Sequence, residues 1–380
     1  MLLKKKILFL TGTRADYGKI KSLMKQVENH KKFELYIFVT GMHMLSMYGS
    51  TWKEIEKDGF KNIYHFINQT SNSHMDIALS NTIIGLSNYI SEIKPDMIVV
   101  HGDRLEALAG AIVGAFNNIK VAHVEGGEVS GTIDESIRHA ITKLSHIHLV
   151  SNDEAKNRII QLGEPADNIF VIGSPDIDIM LSNHLPSLDE VKKRYEFDFE
   201  NYAILMYHPV TTEVEKLKAN IKNVVDAVIE SQRNYIVIYP NNDVGSHIIL
   251  EEYERLLHNN HFRLYPSMRF EYFLTLLKHT DFMIGNSSAG IRETGIYCIP
   301  SIDIGNRQKG RYNPKLLKNV THVIENKDMI LDAIKNVSLK NLSKYKVFGE
   351  GNSDKKFIKI LESSRIWDIE IQKKFIDIEF

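Results

Sequence analysis

At 380 residues the chain is longer than one typical domain, so two domains are the starting expectation. A hydrophobic content of 43% with 25% charged residues is that of a globular protein, and a net charge of -1 excludes a surface built for nucleic acid or an anionic membrane. The single cysteine, Cys298, excludes an intrachain disulfide, fits a reducing cytoplasm, and in Gly-Ile-Tyr-Cys-Ile-Pro reads as a core thiol rather than a nucleophile. Three lysines precede Ile7-Leu-Phe-Leu10, but that apolar run is too short for a secretory h-region and Thr, Gly and Arg follow it. With no stretch as long as a transmembrane helix, the expectation is a cytoplasmic protein that does not engage a membrane.

In chain order, short apolar runs alternate with longer amphipathic ones. Strands are predicted at Ile7–Thr11, Phe33–Thr40, Asn62–Ile67, Met97–Val100, Lys120–Val124, Ile147–Ser151 and Asn168–Ile172. The helices between them are predicted at Tyr17–Glu28, Thr51–Lys57, His74–Ile93, Leu105–Phe116, Ile133–Leu144 and Asp153–Gln161. After Gly173-Ser-Pro-Asp comes a polar stretch to about Asn201. The alternation then resumes with strands at Tyr202–Tyr207, Tyr235–Tyr239, Phe262–Leu264, Phe282–Ile284, Ser301–Ile304 and Thr321–Ile324. Helices near Glu213–Glu230, Ser246–His258, Phe270–His279, Ala289–Ile296 and Lys327–Asn336 fit between them. Strict alternation of this kind predicts an α/β protein of two Rossmann-like doubly wound domains, residues 1–173 and 174–353. A helical tail at 354–380 can pack on either. Tandem sheets of this type are expected to turn their carboxyl ends toward a shared cleft, so the loops after strands carry the chemistry.

Those loops are polar. Gly12-Thr13-Arg14-Ala15-Asp16-Tyr17-Gly18 opens a helix and offers either an anion site with Arg14 or a tight turn capped by Asp16; it lacks the G-x-G-x-x-G dinucleotide spacing. In His101-Gly102-Asp103-Arg104 the acid and the base are placed for a ligand or for each other. The densest stretch runs from His123 to His139, with Glu125, Glu128, Asp134, Glu135 and one arginine around a glycine-rich turn. Polar groups so crowded between apolar elements are costly to bury without partners, although a polar turn with Thr132 or Asp134 as N-cap is the plainer alternative. In the second half, Tyr207-His208-Pro209 ends a strand with an imidazole suited to phosphate or proton transfer. Pro240-Asn241-Asn242-Asp243 suits hydroxyls, and Gly285-Asn286-Ser287-Ser288-Ala289-Gly290 is the strongest phosphate signal. Glu293 can accept from both hydroxyls of a ribose, and Arg307 and Arg311 can add charge at a diphosphate. Two metal-like patterns carry less: Asp176-Ile-Asp178 falls in the interdomain connection, where Asp176 reads as a cap, and His146-Ile-His148 has no evident third ligand.

Taken together, Gly-Thr-Arg-Ala-Asp-Tyr-Gly, His-Gly-Asp-Arg, the seventeen residues from His123 to His139, Pro-Asn-x-Asp-x-Gly-Ser and Gly-Asn-Ser-Ser resemble the hydrolysing UDP-N-acetylglucosamine 2-epimerases, over roughly residues 5 to 340. The resemblance implies a glycosyltransferase-B-type fold and a homodimer or homotetramer. It implies catalytic roles for Asp103, Glu125, Asp134 and His208, and binding of uridine diphosphate (UDP) by Arg14, Arg104, Asn241, Asp243, Ser287, Ser288, Glu293 and Arg307. Non-hydrolysing relatives usually carry Pro-Glu where this chain has Ala15-Asp16, and Ala-Gly-Leu-Arg where it has Gly126-Gly-Glu-Val, which puts it on the hydrolysing side.

The chemistry this implies is elimination of UDP to give 2-acetamidoglucal, followed by hydration to N-acetylmannosamine, the first step toward sialic acid. Carboxylates would move protons on both faces of carbon 2, while arginines hold the leaving diphosphate. No metal or other cofactor is expected. The base is left open among Asp103, Glu125 and Asp134. Competing readings are the same reaction on a UDP-2,4-diacetamido-2,4,6-trideoxyhexose of the legionaminic acid pathway, a UDP-sugar glycosyltransferase of the same fold, and a UDP-sugar sensor.

Overall fold

The computed structural model of the protein describes residues 4–129, 133–241, 243–310, 312, 317–337, 342 and 348–377. The first strands and helices are β1 (Lys5–Thr11), α1 (Arg14–Glu28), β2 (Phe33–Val39), α2 (Trp52–Lys57), β3 (Ile63–His65), α3 (Met75–Ile93), β4 (Met97–His101) and α4 (Leu105–Phe116). They continue with β5 (Lys120–Val124), α5 (Ile133–Leu144), β6 (Ile147–Val150), α6 (Asp153–Gln161), β7 (Ile169–Val171) and α7 (Pro175–Met180). Then come α8 (Leu188–Tyr195), β8 (Ala203–Met206), α9 (Val214–Glu230), β9 (Tyr235–Ile238), α10 (Ser246–Tyr253), β10 (Phe262–Tyr265) and α11 (Phe270–His279). The last are β11 (Phe282–Gly285), α12 (Glu293–Tyr297), β12 (Ser301–Ile304), β13 (Val320–Val323), α13 (Lys327–Lys335), α14 (Ser353–Glu362) and α15 (Arg365–Asp368).

The chain forms two compact units, one of residues 1–128, 134–182 and 347–380 and the other of residues 129–133 and 183–346. In the first, seven parallel strands lie in the order β3-β2-β1-β4-β5-β6-β7. Ile7 and Phe9 of β1 face a core with α1 and α14, while Leu8 and Leu10 face one with α3 and α4. A strand buried on both faces has no polar side, which is why these segments read as continuous apolar runs. The second unit has six parallel strands in the order β10-β9-β8-β11-β12-β13, with α9, α10 and α13 packed over Leu205, Val237 and Ile284 on one face. The strand order reverses between β1 and β4 in the first sheet and between β8 and β11 in the second. Beyond the carboxyl ends of strands at such a switch point, loops diverge and leave a crevice.

The boundary expected after Gly173 falls after Ser182, and the second unit ends at residue 346 rather than 353. The segment read as a polar connection contains two helices. Helix α7 packs on α1, where Asp176 pairs with Lys19 at 3.2 Å. Asp178 accepts from the backbone nitrogens of Ser353 and Asp354 (both 2.9 Å) and from Ser353 Oγ (2.6 Å), capping α14 and fixing the tail to the first unit. The capping role expected of Asp176 thus belongs to Asp178. Helix α8 opens with a capping box in which Ser187 and Glu190 satisfy each other's backbone nitrogens, a pattern legible in Ser-Leu-Asp-Glu. The helix predicted at 289–296 is split into a 3-10 turn at Ser288–Gly290 and the five-residue α12. That predicted at 246–258 gives way after Tyr253 to a 3-10 turn. Among the described residues no helix is long and apolar enough to cross a membrane.

Candidate active site

In the first unit the polar residues gather at the carboxyl ends of β1, β4 and β5. Strands β4 and β5 pair with His101 opposite Val124, so Asp103 and Glu125 leave neighbouring strands almost side by side. Glu125 is 4% exposed and holds a left-handed backbone (φ 63°), a conformation that costs a non-glycine residue of the order of 1 kcal/mol and tends to persist at functional sites. Its Oε1 accepts from Ser174 Oγ, and its Oε2 lies 3.2 Å from His101 Nε2. His101 Nδ1 in turn lies 2.7 Å from Asp16 Oδ1. Burial opposes a charge on this imidazole, but Glu125 and Asp16 outweigh it and push His101 up to about 9. The neighbouring His123 meets only a carbonyl (Gly102, 2.8 Å) and a hydroxyl (Thr142, 3.2 Å), and burial holds it down to about 3.

Asp103 is held by the buried guanidinium of Arg138 on α5, which also donates to Glu128 Oε2 at 3.2 Å. Glu128 Oε1 takes the Ser151 hydroxyl at 2.9 Å. The low-dielectric surroundings oppose the charge on Arg138, but Asp103 and Glu128 hold it protonated. Asp134 sits in the first turn of α5, one turn before Arg138, and Glu135 pairs locally with His139 at 3.6 Å. Of the two caps expected for this helix, Thr132 lies outside the described residues. Gly127, at φ 76°, packs so tightly on α6 that a Cβ would stand 2.3 Å from the Ala155 carbonyl oxygen. The glycine-rich turn is therefore a packing requirement that sets how the chain runs from Glu125 to Glu128.

The first loop is not capped as expected. Thr13, not Asp16, is the N-cap of α1: its side chain accepts from Asp16 N at 3.1 Å. Asp16 instead accepts from Thr11 Oγ1 (2.7 Å) and Gly12 N (3.2 Å) while it faces His101. Arg14 donates to Glu54 at 2.7 Å, and Arg104 directs its Nε to Glu106 Oε2 at 3.3 Å. Asp103 thus pairs with Arg138, and Arg104 with Glu106.

In the second unit the switch point brings together His208 after β8 and Asn286 after β11. The fully buried Asn286 side chain brackets the His208 backbone, accepting from its nitrogen (2.6 Å) and donating to its carbonyl (2.8 Å). The Asn286 carbonyl accepts from Arg307 Nη1 (3.2 Å) and Gln308 Nε2 (2.7 Å), which fastens the loop after β12 to the same point. Asn241 N donates to His208 Nδ1 at 3.1 Å, so the neutral imidazole carries its proton on Nε2. Asn241 also donates through its side chain to Asp243 at 2.6 Å. Gly285 permits this convergence: at φ 135° a Cβ would lie 2.0 Å from the Met206 carbonyl oxygen. The helix-terminus field expected at Ser287–Ser288 is weakened by the break in the helix, and Ser287 Oγ serves as a cap, accepting from Ala289 N at 3.3 Å. Glu293 is buried at the start of α12, and Arg311 and Asn242 lie outside the described residues.

The metal-like patterns serve structure. His146 accepts from Val121 N (3.1 Å) and meets the Ile371 carbonyl (3.1 Å), and His148 pairs with Glu164 at 3.1 Å. Among the described residues no cluster of three or more His, Cys, Asp or Glu could hold a metal ion. Sequence reasoning read Asp16 only as a cap and gave no role to His101, Arg138, Ser174 or Asn286. All but Ser174 lie inside the motifs it singled out, but only long-range pairings give them roles.

Residues 25–362 match the family model described as UDP-N-acetylglucosamine 2-epimerase. The chain is 48% identical over 378 residues to the UDP-N-acetylglucosamine 2-epimerase of Neisseria meningitidis serogroup B, covering 98% of this chain and 99% of that protein. It is 34% identical to the UDP-N,N'-diacetylbacillosamine 2-epimerase (hydrolyzing) of Legionella pneumophila, over 94% and 96% of the two chains. The fold matches the crystal structure of the N. meningitidis UDP-GlcNAc 2-epimerase bound to UDP-GlcNAc with a TM-score of 0.78 at 18% identity, over 94% of this chain and 99% of that one. Its two parallel-sheet α/β units are of the glycosyltransferase-B-like type. By the extent of these matches, the chain belongs to the UDP-N-acetylglucosamine 2-epimerase family.

Proposed function

We propose that the protein is a hydrolysing 2-epimerase that converts UDP-N-acetylglucosamine and water to N-acetylmannosamine and UDP, feeding sialic acid for a surface glycan. The observation that supports this most is the pair of acids at the ends of β4 and β5, each set beside its own cation: Asp103 against Arg138 and Glu125 against His101. A carbon 2 proton next to no carbonyl is acidic only once carbon 1 gains oxocarbenium character, as the diphosphate departs. Anionic carboxylates stabilise that positive charge and are then placed to move protons. Asp134, on the same helix as Arg138, supplies a third carboxyl for a reaction that wants proton donors or acceptors on both faces of carbon 2. Within the second unit His208, Asn241, Asp243, Ser287, Ser288, Glu293 and Arg307 are read as groups that would hold the nucleotide, and within the first Arg14 and Arg104 are read as groups suited to a diphosphate. Hydration of the glucal at carbon 1, with a proton returned to carbon 2, releases the free sugar. A homodimer or homotetramer in the cytoplasm is part of the same reading.

The test is proton NMR of the purified protein with UDP-N-acetylglucosamine in heavy water, without metal or acceptor. UDP plus N-acetylmannosamine bearing deuterium at carbon 2 is expected; UDP-N-acetylmannosamine as product would make the enzyme non-hydrolysing. A second reading, the same reaction on a UDP-diacetamido-trideoxyhexose, is favoured by the names of relatives alone, that of Legionella pneumophila among them. It predicts turnover of that sugar nucleotide and none of the first.

A further inference from the structure

The two acids of the first unit face different kinds of cation. Asp103 faces an arginine, which keeps its charge at every pH of interest, whereas Glu125 faces a histidine, which does not. His101 ends β4, is largely buried, and sets each ring nitrogen near a carboxylate oxygen: Nδ1 in a hydrogen bond with Asp16 at 2.7 Å, and Nε2 in an ion-pair contact with Glu125 at 3.2 Å whose angle falls outside a hydrogen bond. A neutral imidazole has one N–H and one lone pair, so one of these contacts would set a lone pair against a carboxylate. Only the doubly protonated ring suits both. Asp16 is itself fixed by the Thr11 hydroxyl and the Gly12 amide, and Glu125 by the Ser174 hydroxyl, so neither can swing away.

We infer that His101 is a positioning residue whose imidazolium, anchored by Asp16, keeps Glu125 ionised and aimed, so that turnover requires the proton on His101. This rests on the reading that Glu125 acts on the sugar. The charged and titratable groups facing the ring are Asp16 from α1 and Glu125 beyond β5. Around these stand His123 on β5, His43 next to Thr11 (3.2 Å), and Arg138 from α5 on the far side of Glu125. Burial pushes His43 and His123 down to about 3, so neither titrates in the working range. With His101 pushed up to about 9, the ring is charged at neutral pH and loses its proton as pH rises through that value.

The test follows release of UDP from UDP-N-acetylglucosamine by the full chain from pH 6 to 10.5, for the wild type and for Asp16→Asn, His101→Gln and Glu125→Gln. Alongside it, nitrogen-15 shifts of the His101 ring, assigned by its loss in His101→Gln, report its protonation without reference to activity. The wild type should lose kcat along an alkaline limb near the pH at which the ring titrates. Asp16→Asn should move both down by about one unit, since one of two carboxylate partners is gone. His101→Gln should lower kcat roughly 100-fold with KM changed less than about threefold. An alkaline limb unmoved in Asp16→Asn overturns the inference even if the His101→Gln protein fails to fold, and a ring found neutral at pH 7.5 overturns it where that protein folds and fixes the assignment. Wild-type turnover in Glu125→Gln would instead remove the reading of Glu125 beneath it, while the titration of the ring in the wild type would still report on the His101 geometry.

Discussion

Glu164 carries the sharpest stability prediction. Its fully buried carboxylate takes Lys143 Nζ at 2.7 Å, His148 Nε2 at 3.1 Å and Lys373 Nζ at 2.6 Å. Burial alone would raise it, but the hydrogen bonds from His148, Lys143 and Lys373 pull it from 4.5 down to about 2. At about 1.4 kcal/mol per pH unit, that depression corresponds to roughly 3 kcal/mol of stability at neutral pH. Because the folded-state value is the lower one, the contribution is complete above pH 4.5 and is lost as pH falls toward 2. Glu164→Gln removes the charge and points an amide donor at groups that are themselves donors. For a folding unit of about 200 residues, roughly 3 kcal/mol is a fall of about 6–12 °C in Tm. The assay is thermal unfolding of wild type and variant at pH 7 and again at pH 3.5, where about 1.4 kcal/mol of the gap should have closed. Turnover at 25 °C should change little, because the cluster sits at the far end of α5 from Asp134, where Lys373 also caps the carbonyls of Thr142, Lys143 and Ser145. A Tm within 2 °C of wild type at pH 7, or a gap that does not narrow in acid, refutes the reasoning.

Other outcomes follow from the same geometry. Asp134→Asn should lose roughly a thousandfold in kcat and still bind UDP by calorimetry; retained turnover would remove Asp134 from the chemistry. Arg138→Lys keeps a charge but cannot fork to both Asp103 and Glu128, so kcat should drop roughly 10- to 100-fold in a folded protein, read by steady-state kinetics beside a melt. Asn286→Ala strips the His208 backbone of two hydrogen bonds and should weaken UDP binding about tenfold in a titration, with the first unit's stability unaffected. Gly285→Ala should destabilise the second unit by more than about 3 kcal/mol in urea unfolding, since its Cβ would overlap the Met206 carbonyl.

The sequence alone carried the strand and helix alternation, because a parallel strand buried on both faces is a continuous apolar run and a helix over it is amphipathic; those are local signals. It carried the motif loops for a similar reason: glycines and dense polar residues stand out between apolar elements. What it could not carry was who pairs with whom. His101 meets Asp16 across 85 residues and Arg138 meets Asp103 across 35, and Asn286 reaches His208 across 78. Each partner was visible inside its own motif, but its role depends on which strands become neighbours. The break in the helix after Gly290 and the return of the tail to the first unit through Asp178 are decisions of the same kind. Local pattern fixes which faces are apolar and where the loops fall. The protonation and aim of the acids in those loops come from charges that only the packed sheet brings within a few ångströms.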